Sequence, residues 1–285
     1  MIVDEYIAAL RRRLESLYPA EESRAIALKA VSAALAWDVS RIYSHGDAKL
    51  TAEQVASLDR MAADLENGRP LQYVLGFTEF AGLRIKVKEG CLIPRPETEQ
   101  MFELAADEVE KNLSGSDREQ YNMLDMCTGS GCLAYAFASE FSGVQVYGCD
   151  ISDEALKIAC KQRVKECEVR PVFFKADVLE NPPQGLPKFD LIISNPPYIM
   201  NKEKENMRRN VLDYEPEIAL FVDDGDPLVF YRAIKNWAAS LLSENGMLWM
   251  EVNENLASQV AELFEGAQIV KDFNDKDRFV YVKQD

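Results

Sequence analysis

From Asn122 onward the chain alternates short apolar runs with helical patterns, and few folds accommodate that alternation. Strands are predicted over 122–126, 144–149, 172–175, 189–194, 246–251, 268–273 and 278–283, and helices over 132–141, 153–166, 228–242 and 254–264. Strands that alternate with helices imply parallel strands joined by helical crossovers, hence an α/β, doubly wound, Rossmann-like sheet of seven strands. Only 274–277 separates the last two strands. That is too short for a crossover, so they pair as a hairpin and put one antiparallel strand into a parallel sheet.

The N-terminal region lacks this alternation. Tyr6, Ile7, Leu10, Leu14 and Leu17 recur at three- and four-residue spacing, and Pro19 ends the run. A second helix is expected over 21–37. A third starts after Thr51, which with Gln54 makes a capping box. This is a small all-α bundle without a visible catalytic constellation, and a substrate-docking role is the modest expectation for it. Gly68-Arg69-Pro70 punctuates the end of the bundle. Short strands over 76–80 and 83–87, joined by Ala81-Gly82, read as a hairpin. The expected domains are therefore a helical one at 1–75, a linker hairpin at 76–90 and the α/β domain at 91–285. Within the last, a helix is expected over 98–111 and a polar loop over 113–119.

Charge and residue usage exclude several functions. The chain has 32 Lys and Arg against 48 Asp and Glu, a net charge of −16. Residues 1–75 hold 9 of those basic and 11 of those acidic residues, so the rest of the chain carries nearly all the excess. Such a body lacks the broad basic surface that a phosphate backbone needs, and direct nucleic-acid binding is not expected. No apolar run is long enough to span a bilayer, and the start of the chain has none of the parts of a signal peptide, so a cytoplasmic protein without membrane attachment is expected. The six cysteines show no zinc spacing, and the one histidine, His45, sits in the polar turn Ser44-His45-Gly46-Asp47. Neither a metal site nor a histidine-activated nucleophile is expected.

Ligands of such sheets bind at the carboxyl ends of the strands. The first strand runs into Cys127-Thr128-Gly129-Ser130-Gly131, and the second ends about twenty residues later at Asp150, followed by Ile151. A glycine-rich turn lets a ligand approach the backbone, and a carboxylate at the next strand end can accept both hydroxyls of a ribose. This pair alone does not choose a cofactor. Gly129-x-Gly131-x-x-Ala134 also satisfies the dinucleotide pattern, so a nicotinamide dehydrogenase remains open at this point.

The fourth strand settles the choice. Phe189-Asp190-Leu191-Ile192-Ile193-Ser194 leads directly into Asn195-Pro196-Pro197-Tyr198. Two prolines stop the strand, fix the backbone and remove N–H donors. What remains is rich in acceptors, namely the Asn195 side-chain oxygen and the Pro196 carbonyl. An NH₂ group has two hydrogens to give, and two fixed acceptors can hold both. An amide nitrogen is a poor nucleophile because its lone pair is delocalised. Holding its N–H bonds aims that lone pair at an electrophilic methyl and stabilises positive charge appearing on nitrogen. Tyr198 adds a flat face for the substrate group.

These residues resemble a known family. Asn-Pro-Pro-Tyr after a fourth strand is typical of methyltransferases that act on base amino groups or glutamine side chains. The segment Leu92-Ile93-Pro94-Arg95-Pro96-Glu97-Thr98-Glu99 narrows this and looks like the signature of the bacterial release-factor glutamine methyltransferases, the PrmC/HemK family. Gly68-Arg69-Pro70-Leu71-Gln72-Tyr73, Gly76-x-x-Glu79-Phe80 and Tyr214-Glu215-Pro216 with Ala219-Leu220 are similar to that family as well.

The resemblance implies a helical substrate-docking domain followed by a seven-stranded S-adenosylmethionine methyltransferase domain. The implied reaction methylates the glutamine side chain of the Gly-Gly-Gln motif in class 1 peptide chain release factors, with S-adenosyl-L-homocysteine as product and no metal. The implied cofactor residues are Cys127, Thr128, Gly129, Ser130, Gly131, Asp150, Ile151, Asp177, Val178, Asn195 and Thr98, the last at a helix start whose N–H groups suit a carboxylate. The implied catalytic residues are Asn195, Pro196 and Tyr198; Pro197 and Glu215 join these three in binding substrate. A monomer is expected. Three places depart from the family pattern. After the fifth strand the family tends to have a Glu-Ile/His-Gly run where this chain has Glu251-Val252-Asn253-Glu254, a difference to which no function is attached. Cys127 stands where glycine is usual, and cysteine reaches positive φ at a higher cost, which implies weaker cofactor binding or a shifted loop. Val178 stands where an aromatic residue often flanks the adenine. Alternatives are glutamine methylation of a ribosomal protein, methylation of a base amino group, and a cofactor-binding module without catalysis.

Overall fold

The computed structural model describes residues 1–114 and 121–284. The expected loop at 113–119 falls mostly outside these residues. Its first two positions belong to the helix before it.

The chain begins with α1 (Val3–Leu14), α2 (Ala20–Leu35), α3 (Val39–Ser44), α4 (Ala52–Glu66) and α5 (Leu71–Leu75). Tyr6, Leu10 and Leu14 of α1, Ile26, Ala27, Ala30 and Val31 of α2, and Leu58, Ala62 and Leu65 of α4 are buried in one core. Each set follows helical spacing, so each helix turns one stripe inward. Each large apolar side chain buried this way contributes about 2 kcal/mol. The Tyr6 hydroxyl donates to Asp59 at 2.7 Å, which ties α1 to α4 with a polar contact. Thr51 caps α4 in the expected box, its Oγ1 accepting from Gln54 N while Gln54 Oε1 accepts from Thr51 N. Two short helices, α3 and α5, escape the periodicity reading because neither is long enough to repeat a pattern.

Next come β1 (Phe77–Phe80) and β2 (Leu83–Lys86), paired antiparallel as expected. They are followed by α6 (Pro96–Ser114), β3 (Tyr121–Met126), α7 (Cys132–Glu140), β4 (Val144–Asp150), α8 (Asp153–Ala159), β5 (Val172–Lys175), β6 (Phe189–Ser194) and β7 (Ile199–Met200). A 3-10 turn at Asn201–Asn206 precedes α9 (Arg209–Tyr214), α10 (Glu217–Leu220), β8 (Phe221–Val222), α11 (Val229–Leu241), β9 (Leu242–Glu251), α12 (Ala257–Ala261), β10 (Gln268–Lys271) and β11 (Asp277–Lys283).

Two compact units result. The first is Met1–Gly76 together with Arg208–Tyr214, so α9 belongs with the N-terminal helices. Within this unit Arg208 pairs with both oxygens of Glu22 at 2.8 and 3.0 Å, and the Tyr214 hydroxyl donates to the Asn67 carbonyl at 3.1 Å.

The second unit holds a seven-stranded sheet in the order β10-β11-β9-β6-β3-β4-β5. All neighbours pair parallel from β9 through to β5, and β11 runs antiparallel to both β9 and β10. The seven-stranded α/β sheet and its edge hairpin are as the alternation implied. β6 is buried at all six positions, which is why it reads as an apolar run apart from Asp190 and the terminal Ser194. After β3 the chain builds outward through β4 and β5, then crosses back to β6 on the other side of β3. The crevice at the carboxyl ends of β3 and β6 is therefore the topological switch point of the sheet.

Two helices are shorter than their patterns. The helix expected over 153–166 stops at Ala159 because Gln162 turns fully inward. Its amide accepts from Lys86 N at 2.8 Å and donates to the carbonyls of Lys86 and Ser130 at 2.9 and 3.0 Å. Three hydrogen bonds to distant backbone outweigh continuing the helix, and no local pattern encodes them. The helix expected over 254–264 is confined to α12. Four short elements between β6 and α11 (β7, α9, α10 and β8) have no counterpart in the sequence reading.

Candidate active site

The switch-point crevice is a cleft of about 870 Å³ counting its open mouth, a size suited to a nucleoside-containing ligand. Three loops from the sheet build its floor. After β3, Cys127 and Gly129 line it; after β4, Asp150, Ile151 and Ser152; after β5, Asp177, Val178 and Leu179. Asn195 and Pro197 close it beyond β6.

The glycine loop is held from below. Asp125, buried in β3, accepts from Thr128 Oγ1 at 2.5 Å and from Ala134 N at 3.2 Å. Burial pushes its carboxyl up to about 7, and those two hydrogen bonds pull in the other direction. Thr128 N donates to the Cys149 carbonyl at 2.9 Å, which anchors the loop to β4. Gly131 has φ of 80°, and a Cβ there would lie 3.1 Å from the ring of Phe173, so both backbone and space demand glycine. Cys127 also has positive φ, 61°, a conformation that costs a non-glycine residue about 1–2 kcal/mol.

Asp150 stands between the loops. Its Oδ2 accepts from Gly129 N at 2.8 Å and its Oδ1 from Ser152 N at 2.9 Å. Burial pushes its carboxyl above the ordinary carboxylate range, and the N–H groups of Ser152, Gly129 and Ile151 oppose that rise. Each carboxylate oxygen keeps a further acceptor site for a hydroxyl.

Beyond β6 lies a polar chain. Asn195 Nδ2 donates to Thr98 Oγ1 at 2.9 Å, Thr98 Oγ1 donates to Glu251 Oε2 at 2.7 Å, and the Tyr198 hydroxyl donates to Glu251 Oε1 at 2.8 Å. Thr98 and Glu251 are buried, and burial raises the Glu251 carboxyl above its usual range. Burial followed by the Glu251 charge holds Tyr198 well above the ordinary phenol range.

A model of the methyltransferase small domain matches residues 106–214, and one of the PrmC N-terminal domain matches residues 5–76. A release factor glutamine methyltransferase of Flavobacterium psychrophilum is 39% identical over 241 residues, 83% of this chain and 83% of that protein. Another, from Bacteroides thetaiotaomicron, is 36% identical over 278 residues, 96% of this chain and 97% of that protein. The chain belongs to the release factor glutamine methyltransferase family.

The residues that the family resemblance implied do not all meet at the cleft. Cys127, Gly129, Asp150, Ile151, Asp177, Val178, Asn195 and Pro197 line it. Thr128, Ser130 and Gly131 lie behind the loop and shape it, the Ser130 carbonyl accepting from Gln162. Pro196 is buried after β6 and does not line the cleft. Tyr198 is committed through its hydroxyl to Glu251, and Thr98 through its own to Glu251 and Asn195. Glu215 accepts from Ile93 N at 3.0 Å and pairs with Arg95 at 2.7 Å, so it ties down the Leu92–Glu99 signature region.

Some lining residues were missed in this family member. Leu92, Pro216, Ile218, Ala219 and Phe230 also face the cleft. Leu92, Pro216 and Ala219 fall inside motifs that the resemblance quoted, a signal that was available. Phe230 carried none. It is the second residue of α11 and looks from sequence like any apolar helix position. Glu251 ends β9, in the run after the fifth strand to which the sequence assigned no function.

Proposed function

We propose that this protein transfers a methyl group from S-adenosylmethionine to the side-chain amide nitrogen of the glutamine in the Gly-Gly-Gln motif of class 1 peptide chain release factors. The observation that carries the reading is the orientation of Asn195. Its Nδ2 is tied to Thr98, and among the described residues no donor is bonded to its Oδ1. That oxygen lies on a cleft-lining residue and is available to an incoming N–H.

The cleft suits the cofactor by its chemistry. Asp150 offers acceptors for ribose hydroxyls, and Ile151, Val178, Leu179 and Phe230 give apolar surface for a base. Phe230 supplies a ring to a pocket where Val178 does not. S-adenosylmethionine, when bound, supplies a methyl group activated by its sulfonium. The protein's part is binding and aim. Gly129, Asp150 and Ile151 hold the nucleoside end. Asn195 Oδ1 accepts an N–H bond of the glutamine amide, which orients its lone pair and stabilises positive charge on the nitrogen. Pro197 and the ring of Tyr198 shape the seat of that amide. Residues 1–75 dock the release factor, and the linker hairpin joins them to the catalytic region. The enzyme works in the cytoplasm as a monomer, without metal and without direct nucleic-acid contact.

The test uses purified protein, methyl-labelled S-adenosylmethionine and a release factor, either wild type or with the motif glutamine changed to alanine. Label on the wild-type factor alone is the expected result. Equal label on both would sink the substrate assignment, and undiminished label with Asn195→Ala would sink the assignment of the seat.

A further inference from the structure

The polar chain beneath the tetrapeptide has a direction, and one carboxylate sets it. A hydroxyl has a single proton. Thr98 Oγ1 lies 2.7 Å from Glu251 Oε2 and 2.9 Å from Asn195 Nδ2. A carboxylate has no proton to give, so Thr98 donates to Glu251 and can only accept from Asn195. The Tyr198 hydroxyl donates to the other carboxylate oxygen and is likewise spoken for. Asn195 then has one way round: nitrogen toward Thr98, oxygen elsewhere. Without an acceptor behind it, the Thr98 hydroxyl could rotate and donate to Asn195 Oδ1. A flipped Asn195 would present an NH₂ to the substrate amide, donor against donor.

We propose that Glu251 is a positioning residue for methyl transfer: by accepting the Thr98 and Tyr198 protons it keeps Asn195 Oδ1 facing the substrate as an acceptor. The proposal rests on the reading of Asn195 as an acceptor for the substrate amide. Glu251 reaches the site from the end of β9, is not among the residues that line the cleft, and is fully buried. Its two hydroxyl partners are both residues that family resemblance had placed on cofactor or substrate. The arrangement gives them a shared task instead, which is to hold the tetrapeptide's polar side chains in one hydrogen-bonding sense.

The experiment measures methyl transfer to a release factor and S-adenosylhomocysteine affinity in Glu251→Gln, Thr98→Val, the double variant, Thr98→Ser and Asn195→Ala. Glu251→Gln keeps the shape of the residue but turns one acceptor into a donor. The expected result is a fall in kcat of about ten-fold or more in Glu251→Gln and in Thr98→Val, with product affinity within about three-fold of wild type. Because both changes break the same relay, the double variant should be no worse than the poorer single one. Thr98→Ser, which restores the hydroxyl, should recover most of the rate lost in Thr98→Val. That contrast still decides the matter if Glu251→Gln fails to fold. Multiplying losses in the double variant, or Glu251→Gln turning over at the wild-type rate, would overturn the proposal. Asn195→Ala separates the two layers. If it is inactive while Glu251→Gln is normal, the positioning role fails and the function stands. If Asn195→Ala is fully active, the reading on which the proposal rests fails with it.

Discussion

Asp150 Oδ2 accepts the Gly129 N–H at 2.8 Å, so the carboxylate that faces the cleft also fastens the glycine loop beside it. One residue thereby sets both the shape of the pocket and its affinity for hydroxyls. Asp150→Asn keeps the side chain's size but loses its charge and half its acceptors. Hydrogen bonds to a charged partner contribute about 1.5–3 kcal/mol, so S-adenosylhomocysteine should bind about 10- to 100-fold more weakly by calorimetry. Unchanged affinity would remove Asp150 from the cofactor site.

Asp125 gives a pH signature. Its folded pKa of about 7 lies above the ordinary 3.8, so the folded state holds this proton more tightly than the unfolded chain. The stability it contributes is full below the unfolded value and is lost as pH rises through the folded one. The difference in stability between wild type and Asp125→Asn should therefore shift in favour of the variant between pH 5 and pH 8, by on the order of 2 kcal/mol. Urea unfolding of both proteins at the two pH values measures it. A pH-independent difference would mean that Asp125 is ionised throughout.

Glu215 is nearly fully buried and holds both Ile93 N and Arg95, a pair whose arginine is about one-third exposed. Glu215→Gln should lower Tm by a few degrees, since about 1–2 kcal/mol of charge-assisted bonding goes. The KM for the release factor should move little. A raised KM with an unaltered Tm would instead place Glu215 on the substrate.

Cys127 occupies a left-handed backbone conformation on the cleft wall. Cys127→Gly removes strain of about 1–2 kcal/mol and should bind S-adenosylhomocysteine as tightly as wild type or tighter. Weaker binding would show that the cysteine side chain, packed against the core, matters more than the strain.

The legibility of this chain follows the range of the interactions involved. The sheet could be read because its strands are buried on both faces and announce themselves as apolar runs such as Phe189–Ser194. The glycine loop, Asp150 and Asn195 could be read because tight backbone geometry and strand-end chemistry restrict residue type locally. The Thr98–Glu251 contact spans 153 positions of sequence, and nothing near either residue encodes it. Gln162 is the same case, since its partners lie 76 and 32 positions away. Phe230 was invisible for a different reason. A cleft-facing ring at the start of an amphipathic helix has the same pattern as a core-facing one.

The placement of Arg208–Tyr214 in the first unit bears on the order in which the protein can mature. That unit is not contiguous: its last piece is translated more than 130 residues after Gly76. The Arg208–Glu22 pair and the Tyr214–Asn67 bond cannot form on a nascent chain until residue 214 has left the ribosome. A fragment beginning at Phe77 would carry α9 without the helices it packs on, and limited proteolysis should cut it first within 208–214, where the whole chain resists. The buried core of α1, α2 and α4 lies wholly within the first 76 residues, so what arrives late is the outer contact of α9 with it.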